Sequence, residues 1–245
     1  MPLEVQAAVA KVKKYAVSES GDTVEAIERP YGGLSLVLAD GQRSGRAAKM
    51  VSNIVVRKMI SLLAEGVRDG AAARAAHDYL RLQRGGKVSA DLVVISVDLR
   101  THTLVISRNT RCPVVLLIQD ELIILDEPSE PIGIHARTRP VIREWPLTPH
   151  TTVLAFSDGL LDAGSRVGKH VPYVELTEAF HRTDGRRAQH LADRILNAAL
   201  KLDENRPVDD TSVVALTIAE IERSDNVRRM HIRFPVPTVL PRTGV

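Results

Sequence analysis

Six apolar segments of strand length follow one another at residues 92–97, 104–107, 114–118, 122–125, 140–145 and 151–157, and none of the gaps between them reads as a helix. Parallel neighbours would need crossovers of a dozen or more residues, usually helical. These segments must therefore pair antiparallel, which predicts an α+β chain and excludes an alternating βαβ architecture.

The flanks fit the same class. Short strands are expected at 12–17, 24–28 and 33–39; the last alternates Leu34, Leu36 and Leu38 with Ser35, Val37 and Ala39 and stops at Asp40-Gly41. From Gly45 the period changes: Ala48, Val51, Val55, Met59 and Leu62 keep helical spacing until Gly66, which predicts an amphipathic helix. A second helix is expected from about Gly70 to Gln83, with Asp69 as its N-cap. Further helices are expected at 172–182 and 187–202, the latter with Ala188, Leu191, Ile195 and Ala199 on one face. Residues 211–218 read as a last core strand.

Composition narrows the classes further. With 245 residues, 44% of them apolar, the chain can bury a large core without staples. No apolar run approaches the ~20 residues of a membrane helix, and the first residues lack the pattern of a secretion signal. The single cysteine, Cys112, cannot make an internal disulfide, so a cytoplasmic location is expected. The net charge of +3 is uneven: residues 223–245 hold five Arg against Asp225, a net +4, which leaves −1 for the rest. With 3% aromatics and no Lys/Arg stripe, no nucleic-acid partner is expected. The tail, with Pro235, Pro237 and Pro241, reads either as an added edge strand with a loose end or as a partner-binding arm.

Four acidic positions share a setting. Asp22 in Gly21-Asp22, Asp40 in Ala39-Asp40-Gly41, Asp158 in Ser157-Asp158-Gly159 and Asp209 in Asp209-Asp210-Thr211 each stand where an apolar strand starts or stops. Asp-Gly after a strand is a common turn, and one instance proves nothing. Strand ends of one sheet do come together, however, and converged carboxylates repel unless a cation compensates. An all-oxygen donor set suits Mg²⁺ or Mn²⁺ rather than Zn²⁺.

The order of these motifs, with Pro131-Ile132-Gly133-Ile134 between them, resembles the metal-dependent 2C-type (PPM) protein serine/threonine phosphatases, most closely their bacterial SpoIIE-like branch, over residues 12–218. The resemblance implies an αββα sandwich of two antiparallel sheets flanked by helices, with a two-metal site at one end of the sheets. It implies residues 1–222 as the phosphatase domain and 223–245 as a basic extension. Carried over by position, Asp40 would bridge two Mn²⁺ or Mg²⁺ ions and Gly41 would offer its carbonyl. Asp22 would act in or behind the ligand shell, and Asp158 and Asp209 would complete the other metal. Asp162 is an accessory acid, and Asp210 takes the place of Asp209 if the last motif aligns one residue later. The implied activity is hydrolysis of phosphoserine or phosphothreonine on a regulatory protein of a stress or sigma-factor pathway by a metal-activated water. The implied partner is that phosphorylated protein, with no membrane and with a homodimer as an admissible assembly.

Two departures from the family pattern stand out. Gln42-Arg43-Ser44-Gly45 replaces one residue followed by Gly-His-Gly, so that Arg43 stands at a loop glycine and is either a phosphate ligand or a solvated arginine. Asn109-Thr110-Arg111-Cys112-Pro113 replaces Ala-Gly-His-Pro-Pro, with Arg111 where relatives with a third metal carry an acid. The competing reading is accordingly a phosphatase fold without turnover that acts as a binding scaffold. Other phosphatase chemistries fail on the residues: Ile118, not Arg, lies six beyond Cys112, no phosphate-binding P-loop is present, and the eight histidines show no zinc spacing.

Overall fold

Both faces of the strand that ends in Asp40 are buried. Leu36 and Leu38 point one way and Val37 and Ala39 the other, all at most 4% exposed. That strand, β3 (Leu34–Gly41), therefore lies inside a layered structure, and its two apolar faces name the layers above and below it. In the computed structural model, which describes residues 1–170, 188–223 and 226–235, ten strands form two five-stranded sheets. One sheet orders β1 (Leu3–Val12), β10 (Thr211–Glu220), β9 (Thr151–Phe156), β6 (Val114–Ile118) and β7 (Glu121–Leu125). The other orders β2 (Asp22–Glu28), β3, β4 (Ala90–Asp98), β5 (Thr103–Asn109) and β8 (Val141–Pro146). Every pairing is antiparallel, as the uninterrupted run of strand segments requires.

Three apolar layers hold these elements. Between the sheets, Leu36, Leu38, Ile95 and Ile106 meet Leu116, Val153, Val214 and Leu216. Outside one sheet, Val37, Ala39 and Val94 pack on α1 (Gly45–Ala64) through Val51, Val55 and Met59, and on α2 (Asp69–Arg84) through Ala72, Ala76 and Leu80. Outside the other, Ala8, Ala10, Phe156 and Ala215 pack on Leu191, Ala192 and Ile195 of α4 (Ala188–Leu202). A single turn, α3 (Gly159–Asp162), follows β9. The result is the α+β, αββα architecture expected of the sequence.

Several expectations need correction. The first strand is residues 3–12, not 12–17: it pairs with β10 from Leu3↔Glu220 to Val12↔Thr211. Beyond it Ala16 is left-handed (φ 66°) and the Tyr15 N–H is donated to Pro207, so the segment 13–17 bends away. Asp69 is not an N-cap. Arg68 holds that position, and Asp69 in the first turn is 6% exposed and paired with Arg29. No strand occurs in the described part of the tail, 226–235, which instead ties Arg228 to Glu28 at the end of β2. The helix expected at 172–182 lies outside the described residues.

The Arg29–Asp69 pair joins the end of β2 to the start of α2. Arg29 Nη1 donates to Asp69 Oδ2 at 2.8 Å and Nη2 to the Val67 carbonyl at 3.1 Å, while Ser96 Oγ donates to Asp69 Oδ1. Both side chains are 7% exposed, so removing one partner leaves the other charged and dry. Arg29→Met is expected to cost about 3–5 kcal/mol in denaturant unfolding, and Arg29→Met/Asp69→Leu less than that single change. A loss in the double variant equal to the sum of the Arg29→Met and Asp69→Leu losses would show that the pair carries no coupling.

Candidate metal centre

Antiparallel register assembles the acids. Asp22 of β2 lies opposite Asp40 of β3, and Asp40 lies opposite Asp91 of β4, so three carboxylates sit abreast on adjacent strands. From the other sheet, Asp158 stands two residues past the end of β9 and Asp209 two residues before the start of β10. The two sheets thus deliver their acids to one shared end.

Two glycines make room for this. A Cβ on Gly41 would stand 2.1 Å from the Ala48 carbonyl oxygen of α1, and one on Gly159 would stand 2.1 Å from the Asp210 carbonyl oxygen. Each glycine directly follows an acid of the cluster and lets a neighbouring backbone close on it.

A cleft of about 370 Å³ opens at this end. Asp40, Asp91, Asp158, Asp209 and Gly41 form its acidic wall, and Lys14, Gln42, Arg43 and Ser44 its polar rim. Lys14 stands 3.7 Å from Asp209. Arg43 is exposed, and its backbone is left-handed (φ 80°), which explains why the family pattern places glycine there. Ser44 is the N-cap residue of α1 and makes no side-chain cap bond, so a helix N-terminus opens beside the cleft.

The electrostatics are those of crowded carboxylates. Burial pushes the Asp40 carboxyl up to about 11, with the charges of Asp22, Asp158 and Asp91 adding to the effect. Asp158, more exposed, is raised to about 6 by desolvation first and Asp209 second. Burial also raises Asp22 and Asp91, against hydrogen bonds that lower them, from Ser212 and Ser157 to Asp22 and from Thr110 to Asp91. Asp40 and Asp158 are hydrogen-bonded to each other. Among the described residues, no three acidic, histidine or cysteine side chains form a ready ligand cage; these carboxylates are turned on to hydroxyls and one another.

The donor set nevertheless fits hard divalent cations. The cleft wall offers oxygen and no sulfur or imidazole, and Asp22 Oδ1 is buried without a hydrogen-bond partner. A cation would relieve both the repulsion and that orphaned oxygen.

Of the residues expected from sequence, Asp40, Gly41, Arg43, Asp158 and Asp209 line the cleft. Asp22 lies behind it, 0% exposed. Asp210 is buried too, and its carboxylate accepts the Gly21 N–H and the Lys14 N–H, both at 2.8 Å, so Asp209 is the member of the pair at the cleft. Asp162 is exposed at the end of α3 and does not line the cleft. Sequence reasoning missed Asp91 and Lys14. Asp91 carried the same signal as the other acids, a strand terminus, and Lys14 stood just past the end of an unrecognised strand.

Comparison with known proteins adds context. The family model described as stage II sporulation protein E (SpoIIE) matches residues 30–219. Stage II sporulation protein E of Bacillus subtilis is 20% identical over 220 residues, 90% of this chain, and the chain spans about a quarter (26%) of that relative's length. The PP2C phosphatase domain with a regulatory-domain fragment of Bacillus subtilis SpoIIE superposes with a TM-score of 0.76 at 19% identity, covering 89% of this chain and 64% of that one. The catalytic domain of the serine/threonine protein phosphatase PstP in complex with two manganese ions gives 0.69 at 18%, covering 89% and 100%. The RsbU and RsbW domains of a Mycobacterium tuberculosis protein give 0.69 at 20%, covering 88% and 61%.

The raised Asp40 carboxyl has a measurable consequence for the metal-free protein. Unfolded, this group loses its proton near its ordinary value of 3.8; folded, it keeps it to about 11. Its contribution is therefore fully present below the lower value and is lost steadily as pH rises above it. In EDTA, Asp40→Asn is expected to melt about 2–4 °C or more above wild type at pH 8, with the gap closing toward pH 5. A gap that is absent or widens toward acid would contradict this account.

Proposed function

We propose a catalytic reading from one premise: the chain belongs to the SpoIIE family and carries the fold of the PP2C-type (PPM) serine/threonine phosphatases. On this reading it is a metal-dependent phosphoprotein phosphatase acting on phosphoserine or phosphothreonine of a regulatory protein. The carrying observation is the convergence of Asp40, Asp91, Asp158 and Asp209 on one cleft whose rim presents Lys14 and Arg43.

Each residue has a part. Asp40, Asp158, Asp209 and the Gly41 carbonyl would hold two Mn²⁺ or Mg²⁺ ions, with Asp22 behind them. Such a pair supplies a water of lowered pKa and neutralises charge on a transferring phosphoryl group. Arg43 offers a planar fork for two phosphate oxygens beside the N-terminus of α1, and Lys14 a second cationic contact. The open cleft suits a phosphorylated side chain carried on a protein. The SpoIIE and RsbU domains among its neighbours support a regulatory phosphoprotein as the substrate class.

A second reading, a scaffold that binds phosphoproteins without turnover, is favoured by one observation, the Gln42-Arg43-Ser44 departure at the rim of the cleft. One assay separates the two. With Mn²⁺ the protein is expected to hydrolyse p-nitrophenyl phosphate and a phosphopeptide, and EDTA or Asp158→Asn to abolish turnover. Phosphopeptide binding without metal-dependent turnover would establish the scaffold instead.

Arg43 can be tested separately. Arg43→Ala is expected to raise KM for a phosphopeptide about tenfold, the equivalent of ~1.4 kcal/mol, with a smaller fall in kcat. An unchanged KM would remove its phosphate role.

A further inference from the structure

Asp22 differs from the other acids of the cluster. It is fully buried and does not reach the cleft wall. Its Oδ2 accepts two hydroxyl hydrogen bonds, from Ser157 Oγ at 2.8 Å and from Ser212 Oγ at 2.6 Å, while its Oδ1 has no partner. One oxygen is doubly held and the other left open.

The two serines are themselves fixed by the β9–β10 ladder. They stand one step beyond the last pair, Val213↔Phe156. Ser157 N–H donates to the Ser212 carbonyl at 3.0 Å, as a regular rung would. The return bond does not reach a carbonyl: Ser212 N–H donates at 2.9 Å to Ser157 Oγ. The Ser157 hydroxyl has one proton and two acceptors in reach, Asp22 Oδ2 at 2.8 Å and the Asp210 carbonyl at 3.3 Å, of which Asp22 is the nearer. The diverted return bond also frees the Ser157 carbonyl to receive Leu160 N–H at 3.1 Å, which starts the turn carrying Asp158.

These bonds cross between the sheets. Ser157 and Ser212 belong with Asp158 and Asp209, whereas Asp22 belongs with Asp40 and Gly41. Each half of the proposed ligand set is thus tied to the other where the acids meet. Both serines are at most 3% exposed and absent from the wall of the large cleft, so they act only through what they hold.

We infer that Ser157 and Ser212 are positioning residues for the metal centre: they clasp Asp22 Oδ2 across the two sheets, set the spacing of the halves of the ligand set, and leave Oδ1 as the single donor Asp22 offers. The inference rests on the two-metal reading above. Outer partners that orient ligands commonly change metal affinity 10–100-fold when removed. A merely structural role would lower stability and leave affinity alone.

Titration calorimetry of the full chain with Mn²⁺ tests this on wild type, Ser212→Ala, Ser157→Ala, Asp22→Asn and Ser212→Ala/Asp22→Asn, alongside melting in EDTA. Ser212→Ala is expected to weaken Mn²⁺ binding about tenfold or more while folding in EDTA, and the double variant to bind no more weakly than Asp22→Asn alone. Ser157→Ala carries the same expectation and decides the matter if Ser212→Ala does not fold. Wild-type affinity in the folded serine variants, or a serine effect undiminished in the Asp22→Asn background, would overturn the clasp. Absence of Mn²⁺ binding by wild type would instead overturn the two-metal reading itself, and the clasp with it.

Discussion

Like charges held together by β register are the constraint on which the rest of this structure turns. Asp22, Asp40 and Asp91 oppose one another on adjacent strands, where antiparallel geometry fixes Cα spacings near 5 Å. Two unit charges at that spacing repel by about 3 kcal/mol even at an effective dielectric constant of 20. Asp158 and Asp209 bring further charge from the second sheet. Such a group is tolerable with protons or cations between its members, and the raised Asp40 carboxyl is the protonated solution.

The acids cannot splay apart to escape because the strands that carry them are locked on both faces. Residues 36–39 of β3 are buried between α1 on one side and the second sheet on the other. Packing at crystal-like density transmits rather than absorbs a displacement at the strand end. Gly41 and Gly159 tighten the same point, since each admits a backbone carbonyl where any Cβ would collide. The hydrophobic layers and the polar end are therefore one design: the core supplies the rigidity that an electrostatically unfavourable cluster requires. The Arg29–Asp69 network does related work at the start of α2.

Much of this was legible in the sequence, for identifiable reasons. Strands 4 to 10 and helix α1 emerged because their apolar periods are strong, and Asp40 and Asp158 because an abrupt strand stop before glycine is a local signal. What was missed depends on partners distant in the chain. The first strand is disguised by Ala7, Ala8 and Ala10, whose small side chains give little alternation until α4 covers them. Asp69 looked like a cap because Asp is a good one, and only Arg29, forty residues away, shows why it is buried. Asp91 carried the local signal of a strand terminus, but what places it beside Asp40 is the register of β3 and β4. Ser157 and Ser212 lay inside motifs already singled out, but their meeting on Asp22 is a property of the fold.

Arg43 shows how a local cost can point toward chemistry. A non-glycine residue with left-handed backbone is disfavoured by about 1–2 kcal/mol, and glycine would adopt φ 80° at this position freely. Local sterics therefore favour the residue that the family pattern has and this chain lacks. Arg43 is exposed, so its side chain brings little apolar burial in return. What it brings is a fixed positive charge with forked donors, placed at the rim of an acidic cleft and next to the N-terminus of α1. Nine other non-glycine residues among those described share this left-handed backbone, but none of them lines the cleft; on the reading proposed above, a phosphate contact would offset the local cost at Arg43.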